Sequence, residues 1–354
     1  MGKTVDRPTL DSVAAAAGVS RMTVSNAYNR PDQLSATTRA RVLETARLLG
    51  YQGPHPTAAS LRLGRTGTVG VVLTERLPYA FTDPGMVSIL HGIATELSSS
   101  GNALLLVPSS RPDEQSLLRH AMVDGLILCS VDDADTSVAA ALARQLPLVT
   151  IGSPRLPGIA WVGVDNRRAA AQVASHLLGL GHRRFGAVTT PVGDDAGSRH
   201  PQFDQRTEGF LDTLLARGVS RDAIEVAYAA ENTRTASYQV GLHVLSRPAR
   251  QRPDALFAVT DIMALGILDA STELGTAVPG DLSVVGFDGV PESATSTPPL
   301  TTISQRLFAQ GSIGARLVLQ MIAGKPARSP RLTATLEIRA STGNCNRERD
   351  VDNG

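Results

Sequence analysis

A chain of 354 residues is too long for one ordinary core, so two or three domains are expected. Hydrophobic residues at 42% exclude a disordered chain, and two cysteines exclude a disulfide framework or the spacing of a zinc motif. The net charge of +1 is unevenly shared: residues 1–65 carry nine basic side chains against four acidic, and the remainder 25 against 29. A basic head on a mildly acidic body suits an anionic partner for the head. No charged start precedes an apolar run at the N-terminus, and no stretch reaches about 18 apolar residues. The expected location is therefore the cytoplasm, with no membrane partner.

The first fifty residues read as three short helices. Thr9 can cap a helix over Leu10–Ala17, which Gly18 breaks. Ser20 can cap a second from Arg21 to about Tyr28, followed by the turn signal Asn29–Arg30–Pro31–Asp32. Ser35 or Thr37 opens a third that runs to Leu49, with Val42, Leu43, Ala46 and Leu49 on one face. Residues 53–67 form a linker in which a short helix-compatible stretch, residues 57–62, sits between prolines and glycines.

From residue 68 strands and helices alternate. The strand-like runs are Val69–Leu73, Ala103–Val107, Gly125–Leu128, Leu148–Ile151, Trp161–Val164, Phe185–Val188, Ala255–Val259 and Leu282–Phe287. The helical stretches are Pro84–Ser98, Arg167–Leu180, Gln205–Arg217, Thr235–Ser246, Ile262–Leu274 and Leu307–Ala323. Apolar strands between amphipathic helices mean parallel sheets covered on both faces. The expected fold class is α/β: a helix-turn-helix head over 1–52, the linker over 53–67, two doubly wound subdomains over 68–340, and a disordered tail over 341–354.

The segment Gly18–Ser35 carries the chemistry of a reading helix. Arg21 can bridge the two acceptors of guanine, Asn26 can do the same for adenine, and Met22 and the Thr23 methyl can touch thymine. Ser25 joins them, while Val24 and Ala27 turn inward onto Val13 and Ala14. Tyr28 stays open between core packing and a phosphate contact.

These residues, with the run TRARVLETARLLGY and the run ASLRLGRTGTVGVV behind them, resemble the LacI/GalR family. The resemblance spans almost the whole chain. It includes Val164–Asp165–Asn166, Gly181–His182–Arg183–Arg184, Arg206 with Gly209–Phe210, Thr260–Asp261, Leu282 through Asp288, and Pro298 through Ile303. It implies homodimers whose heads each read half of a near-palindromic double-stranded operator, and a linker that folds into a hinge helix on DNA. It places Leu61 as the apolar wedge in the minor groove, with Ala58 one turn earlier. The implied DNA-contacting set is Thr9, Ser20, Arg21, Met22, Thr23, Ser25, Asn26 and Asn29, then Ala58, Leu61 and Arg62. Many members have Arg where this chain has Asn26 and Ala59, which leaves the base preference and one phosphate contact undetermined.

The resemblance also implies a small-molecule effector, with a sugar favoured, in the cleft between the subdomains. Arg206 and Asp288 match effector-contacting positions. Thr260 and Asp261 lie at a strand end that faces the effector, though Asp261 can equally cap the next helix. Phe81, in Tyr79–Ala80–Phe81, can stack on a ligand or pack in the core. Trp161 reads as core. No nucleophile elbow, phosphate loop, dinucleotide fingerprint or metal-spaced histidine pair is present, so no enzyme, cofactor or metal is expected. The expected function is a ligand-switched transcriptional regulator, with repression favoured. The alternative is a cytoplasmic small-molecule binder with no ligand-switched DNA function.

Overall fold

The computed structural model describes residues 8–53, 64–73, 77–108, 115–191 and 200–345. Two units divide at Thr66 and Gly67. The first holds helices α1 (Leu10–Ala17), α2 (Arg21–Asn29) and α3 (Ala36–Leu48). Each starts at the hydroxyl that the sequence offers. Thr9 Oγ1 accepts from the Ser12 amide, Ser20 Oγ from Thr23, and Ser35 Oγ from Thr38. Gly18 ends α1 at φ 63°, a left-handed conformation that glycine takes without strain. Val13, Ala14, Ala17, Val24, Ala27, Val42 and Ala46 form the core of this unit. Leu49, expected on the inner face of α3, is exposed, because the helix stops at Leu48, one residue before it.

The second unit contains two sheets. The first has the order β2-β1-β3-β4-β5, all parallel, from Thr68–Leu73 (β1), Ala103–Pro108 (β2), Gly125–Cys129 (β3), Leu148–Ile151 (β4) and Ala160–Val162 (β5). Its helices within this stretch are α4 (Pro84–Ser99), α5 (Gln115–His120) and α6 (Thr136–Ala143). The second sheet has the order β11-β10-β9-β8-β6-β7. Its strands are Phe185–Thr189 (β6), Ile224–Tyr228 (β7), Ala255–Ala258 (β8), Ser283–Asp288 (β9), Thr301–Ser304 (β10) and Thr335–Glu337 (β11). All its pairings are parallel except β10 with β11. Helices α7 (Asn166–Gly179), α8 (Pro201–Ala216), α9 (Arg234–Leu245), α10 (Asp261–Glu273) and α11 (Pro291–Thr295) accompany it. The runs of β1, β3, β4, β6, β8 and β9 are apolar and nearly fully buried, as sheets covered on both faces require.

The connectivity differs from two consecutive halves. After β10 the chain returns to the first sheet as α12 (Leu307–Ile322), which packs on α4 and on β3, β4 and β5. It then comes back as β11. The chain therefore crosses between the subdomains three times, near residues 163–165, 305–306 and 323–334. The expected disordered tail begins too early: Ser341 is fully buried and its hydroxyl donates to Val284 O at 2.6 Å, while the Cys345 amide donates to Leu180 O at 2.9 Å. Among the described residues, no helix is long and apolar enough to cross a membrane.

Helices α4 and α12 approach closely enough to exclude any side chain at two positions. A Cβ on Gly92 would lie 2.1 Å from Phe308 O, and one on Gly311 would lie 2.1 Å from Ile89 O. Both partners are backbone and cannot swing aside. Gly92→Ala should therefore lower the unfolding free energy of the body by about 1–3 kcal/mol, read as a lower urea midpoint with an unchanged slope.

Candidate functional site

Two surfaces carry functional chemistry, and each lies within one unit. On the head, α2 is anchored by Val24 and Ala27, both essentially fully buried. That leaves Arg21, Met22 and Asn29 exposed and Thr23 and Asn26 half-buried. Arg21 Nε meets Asp11 Oδ1 at 2.9 Å across the turn, with both side chains well exposed. Such a pair is weak and exchangeable, so the guanidinium can be offered to another anion or a base edge. Asn26 Nδ2 donates to Gln33 Oε1 at 3.3 Å. Thr9 and Ser20 are exposed caps.

Ser25 departs from expectation. It is 5% exposed and accepts from Asn29 Nδ2 at 3.3 Å. It lies one residue from Val24 and two from Ala27, close enough to the inner stripe to be enclosed with it. In this structure its hydroxyl is thus turned towards Asn29 and the inner face of α2. Tyr28 is half-buried and packs edge-to-face on Tyr51 with ring centroids 5.9 Å apart. Ala58, Leu61 and Arg62 lie outside the described residues.

In the body, a cavity of about 680 Å³, counting its mouth, lies between the two subdomains. Its walls are mixed: Met86, Ile89, Val164, Phe203 and Leu307 supply apolar surface, and Tyr79, Asp83, Asn166, Gln202, Arg206, Asn232, Thr260, Asp288, Gln305 and Gln310 supply polar groups.

Arg206 is its electrostatic centre. The side chain leaves α8 with 4% of the residue exposed. Nε donates to Asn166 Oδ1 at 3.0 Å, and Nη1 donates to Val259 O at 2.6 Å and to Asp288 Oδ1 at 3.4 Å. The guanidinium lies over the Phe287 ring, 4.0 Å from its centroid, with Phe203 at 5.6 Å. Nη2 makes no hydrogen bond among the described residues, so its two N–H groups remain for a ligand.

Asp288 is held as tightly. It sits at φ 142°, a conformation that L residues rarely adopt and that costs on the order of 1–3 kcal/mol. Gln305 enforces it from both sides: its amide donates to Asp288 O at 3.1 Å and its Nε2 to Asp288 Oδ1 at 2.6 Å. Burial pushes the Asp288 carboxyl well above the usual range. Arg206 opposes that, while Asp261 and Asp83 reinforce it. Burial likewise pulls Arg206 down, against the three carboxylates that hold it up.

Asp261 and Phe81 do not line the cavity. Asp261 is fully buried beneath the β9–α11 turn. Its Oδ2 accepts from the Gly289 amide at 2.8 Å and the Val290 amide at 3.0 Å, and its Oδ1 from Thr302 Oγ1 at 2.5 Å. With those bonds made, its carboxylate is committed to the turn. Phe81 is 63% exposed. It is part of the single 3₁₀ turn Tyr79–Phe81, in which residues two apart point about 120° from each other, so Tyr79 reaches the cleft and Phe81 does not. Thr260 does line the cavity and caps α10, its hydroxyl donating to Asn232 Oδ1 at 2.7 Å. Trp161 is half-buried, outside the cavity, with Nε1 donating to Gly152 O at 2.9 Å.

Among the described residues, three hydrogen bonds cross the cleft. Asn232 Nδ2 donates to Tyr79 Oη at 2.6 Å, Tyr79 Oη donates to Asn232 O at 3.1 Å, and Ser153 Oγ donates to Gln202 Oε1 at 3.1 Å. The cavity walls are thus joined through the same amides that would meet a ligand. Asn232 and Gln305 escape sequence reasoning, because amides carry no charge pattern, whereas Tyr79 lies in the quoted run Tyr79–Ala80–Phe81 and Asn166 in a quoted motif.

Comparison with known proteins agrees with this division. The sequence pattern of bacterial regulatory proteins of the lacI family matches residues 9–53, and that of the periplasmic binding protein-like domain matches residues 174–342. The HTH-type transcriptional regulator Rv3575c of Mycobacterium tuberculosis is 40% identical over 339 residues, covering 91% of this chain and 92% of that protein. A LacI-family transcriptional regulator of Corynebacterium glutamicum superposes with a TM-score of 0.69 at 30% identity, covering 94% of this chain and 98% of that one. The complex of the transcriptional regulator CelR with cellobiose gives a TM-score of 0.66 at 30% identity, over 95% and 100%.

The carboxyl of Asp261 is pushed up to about 6, chiefly by burial, against its bonds from Thr302, Val290 and Gly289 and the charge of Arg339. An acid raised in the fold contributes stability that is present below its ordinary value of 3.8 and is lost as pH rises through about 6. The stability difference between wild type and Asp261→Asn should therefore fall from about pH 4 to about pH 6, measured by urea unfolding. A difference that is flat or rises over that window contradicts the assignment.

Proposed function

We propose, for a chain that belongs to the lacI family of bacterial transcriptional regulators, that it reads a near-palindromic operator as a cytoplasmic homodimer and is switched by a neutral polyhydroxy ligand of the sugar class. The cavity chemistry carries the ligand reading. Amides and hydroxyls can both donate to and accept from ligand hydroxyls, and the free N–H pair of Arg206 can donate to them. The single guanidinium already faces Asp288, with Asp83 and Asp261 near it, so no positive surplus is left for a phosphate or carboxylate ligand. The CelR–cellobiose complex is a relative with such a ligand.

The switch follows from what the ligand must displace. Entering the cavity, it competes for Asn232 and Gln202, which now join the walls to Tyr79 and Ser153. Replacing those bonds with its own changes how the subdomains close on each other. A coupling of about 1–3 kcal/mol to operator affinity would alter it about 5- to 150-fold. Repression is the favoured output, since a dimer seated over a promoter obstructs polymerase. The outer faces of α4 and α12, where Val87 and Phe308 are each 42% exposed, are the favoured surface for the second subunit.

The head and the cavity are tested separately. After enrichment of bound duplexes from a random pool, Asn26→Ala should lose preference at one position in each half-site, worth about 1–3 kcal/mol, with other positions unchanged. Intact preference at every position would move base reading off α2. On the enriched operator, a panel of neutral sugars and their phosphates should contain a neutral member that shifts affinity. Asp83→Asn and Gln310→Ala should weaken that response without altering operator binding in the ligand's absence. A response confined to phosphorylated compounds would reject the ligand class.

A further inference from the structure

The end of the second sheet remote from the cavity gathers three metal-ligating side chains that the sequence keeps far apart. His182 and Asp254 stand just before β6 and β8. Cys345 is carried to them by residues 341–345, which bond Val284 and Leu180 as described. His182 is 5% exposed and Asp254 3%, while Cys345 is half-buried. His182 Nδ1 lies 3.3 Å from Asp254 Oδ1, Cys345 Sγ lies 3.9 Å from Asp254 Oδ2, and the three donor atoms all fall within 4.8 Å of one another.

The histidine is oriented for a ligand. Its Nε2 lies 3.2 Å from the Gly343 carbonyl and 2.9 Å from Ser283 Oγ. A carbonyl can only accept, so in the tautomer that bonds Gly343 it is Nε2 that carries the hydrogen. In the neutral ring this leaves the lone pair on Nδ1. That atom is buried and makes no hydrogen bond, despite its closeness to Asp254. A lone pair beside a carboxylate and a thiol calls for a cation between them. A ring N–H held by a carbonyl is also the support usually found behind a metal-bound imidazole. Asp254 has its own support, since its Oδ1 accepts from the Arg184 amide at 3.2 Å.

The separations suit a small tetrahedral ion. With bonds of roughly 2.0–2.3 Å, zinc spreads nitrogen, oxygen and sulfur donors about 3.4–3.6 Å apart, against 3.3 Å from Nδ1 to Oδ1, 3.9 Å from Sγ to Oδ2 and at most 4.8 Å among the three donors here, so the ion draws the donors slightly together. We propose that His182 Nδ1, an Asp254 carboxylate oxygen and Cys345 Sγ form a binding site for a thiophilic divalent cation of the zinc class, with water as the fourth ligand on the open side of Cys345. Zinc entry displaces the Cys345 thiol proton to solvent and changes no oxidation state. The ion ties residues 341–345 to the starts of β6 and β8. The site is independent of the ligand cleft.

The test uses the untagged full chain, stripped of metal. Zinc is titrated against a chromophoric chelator, cobalt(II) is added in parallel, and Cys345 alkylation is followed by mass spectrometry with and without zinc. Wild type should retain one zinc per chain, show a thiolate-to-cobalt charge-transfer band and be protected from alkylation at Cys345. Cys345→Ser should lose the band and weaken zinc on the order of tenfold or more, with an unchanged circular dichroism spectrum. Cys129, fully buried with its thiol pushed up to about 12, should stay unmodified throughout. Zinc that wild type cannot hold against the chelator, equal affinity in Cys345→Ser, or alkylation indifferent to zinc would each overturn the site. His182 and Asp254 would then share only a proton.

Discussion

A guanidinium buried in the seam of the body must have its charge and its donors answered there, and that demand organises the cleft. Isolated, such a charge would cost several kcal/mol even after relaxation. The answers to Arg206 come from separate parts of the chain: Asn166 at the start of α7, the Val259 carbonyl after β8, and Asp288 at the end of β9. Gln305, on the segment that crosses back to α12, locks Asp288 in turn. One side chain thus fixes the mutual positions of four elements at the ligand end of the second sheet. Asp261 continues the network beneath the surface. It holds the turn after β9 and so supports Asp288 without facing the cavity.

The head obeys a simpler rule. Its core is made of small aliphatic side chains, Val13, Ala14, Val24, Ala27, Val42 and Ala46. Small residues let three short helices pack closely, and hydroxyl caps set where each begins. The outward face of α2 is thereby fixed before any DNA is met, which keeps the ordering cost of recognition low.

Much of this was legible in the sequence wherever local chemistry and tertiary context agree. The caps at Thr9, Ser20 and Ser35 and the apolar runs of β1, β3 and β8 left few alternatives. The strands β7, β10 and β11 were not legible. Thr301–Ser304 is polar, Thr335–Glu337 is only three residues long, and Ile224–Tyr228 is an edge strand with mixed exposure. Arg206, Asp288 and Thr260 were found through family resemblance, and the fold brings them to one cavity. Phe81 and Asp261 lie off the cavity wall, Phe81 because it points about 120° from Tyr79 in a 3₁₀ turn and Asp261 because its carboxylate is bonded to the turn after β9. The His182–Asp254–Cys345 cluster joins three distant segments, and no spacing rule could register it.

The chain order has a consequence for synthesis. The first sheet is complete by residue 162, yet the helix that covers part of it, α12, is translated only after β10 of the second subdomain. A growing chain that has emerged to residue 300 still exposes the apolar faces of β3, β4 and α4 that Leu317 and Val318 will cover. The contacts that close the first subdomain are therefore among the most distant in sequence, and contacts of that kind slow folding. During that interval the uncovered apolar surface is of the kind that makes incompletely folded chains prone to aggregation. Its ligand cleft, walled by both subdomains, cannot take shape until translation has passed Ile322.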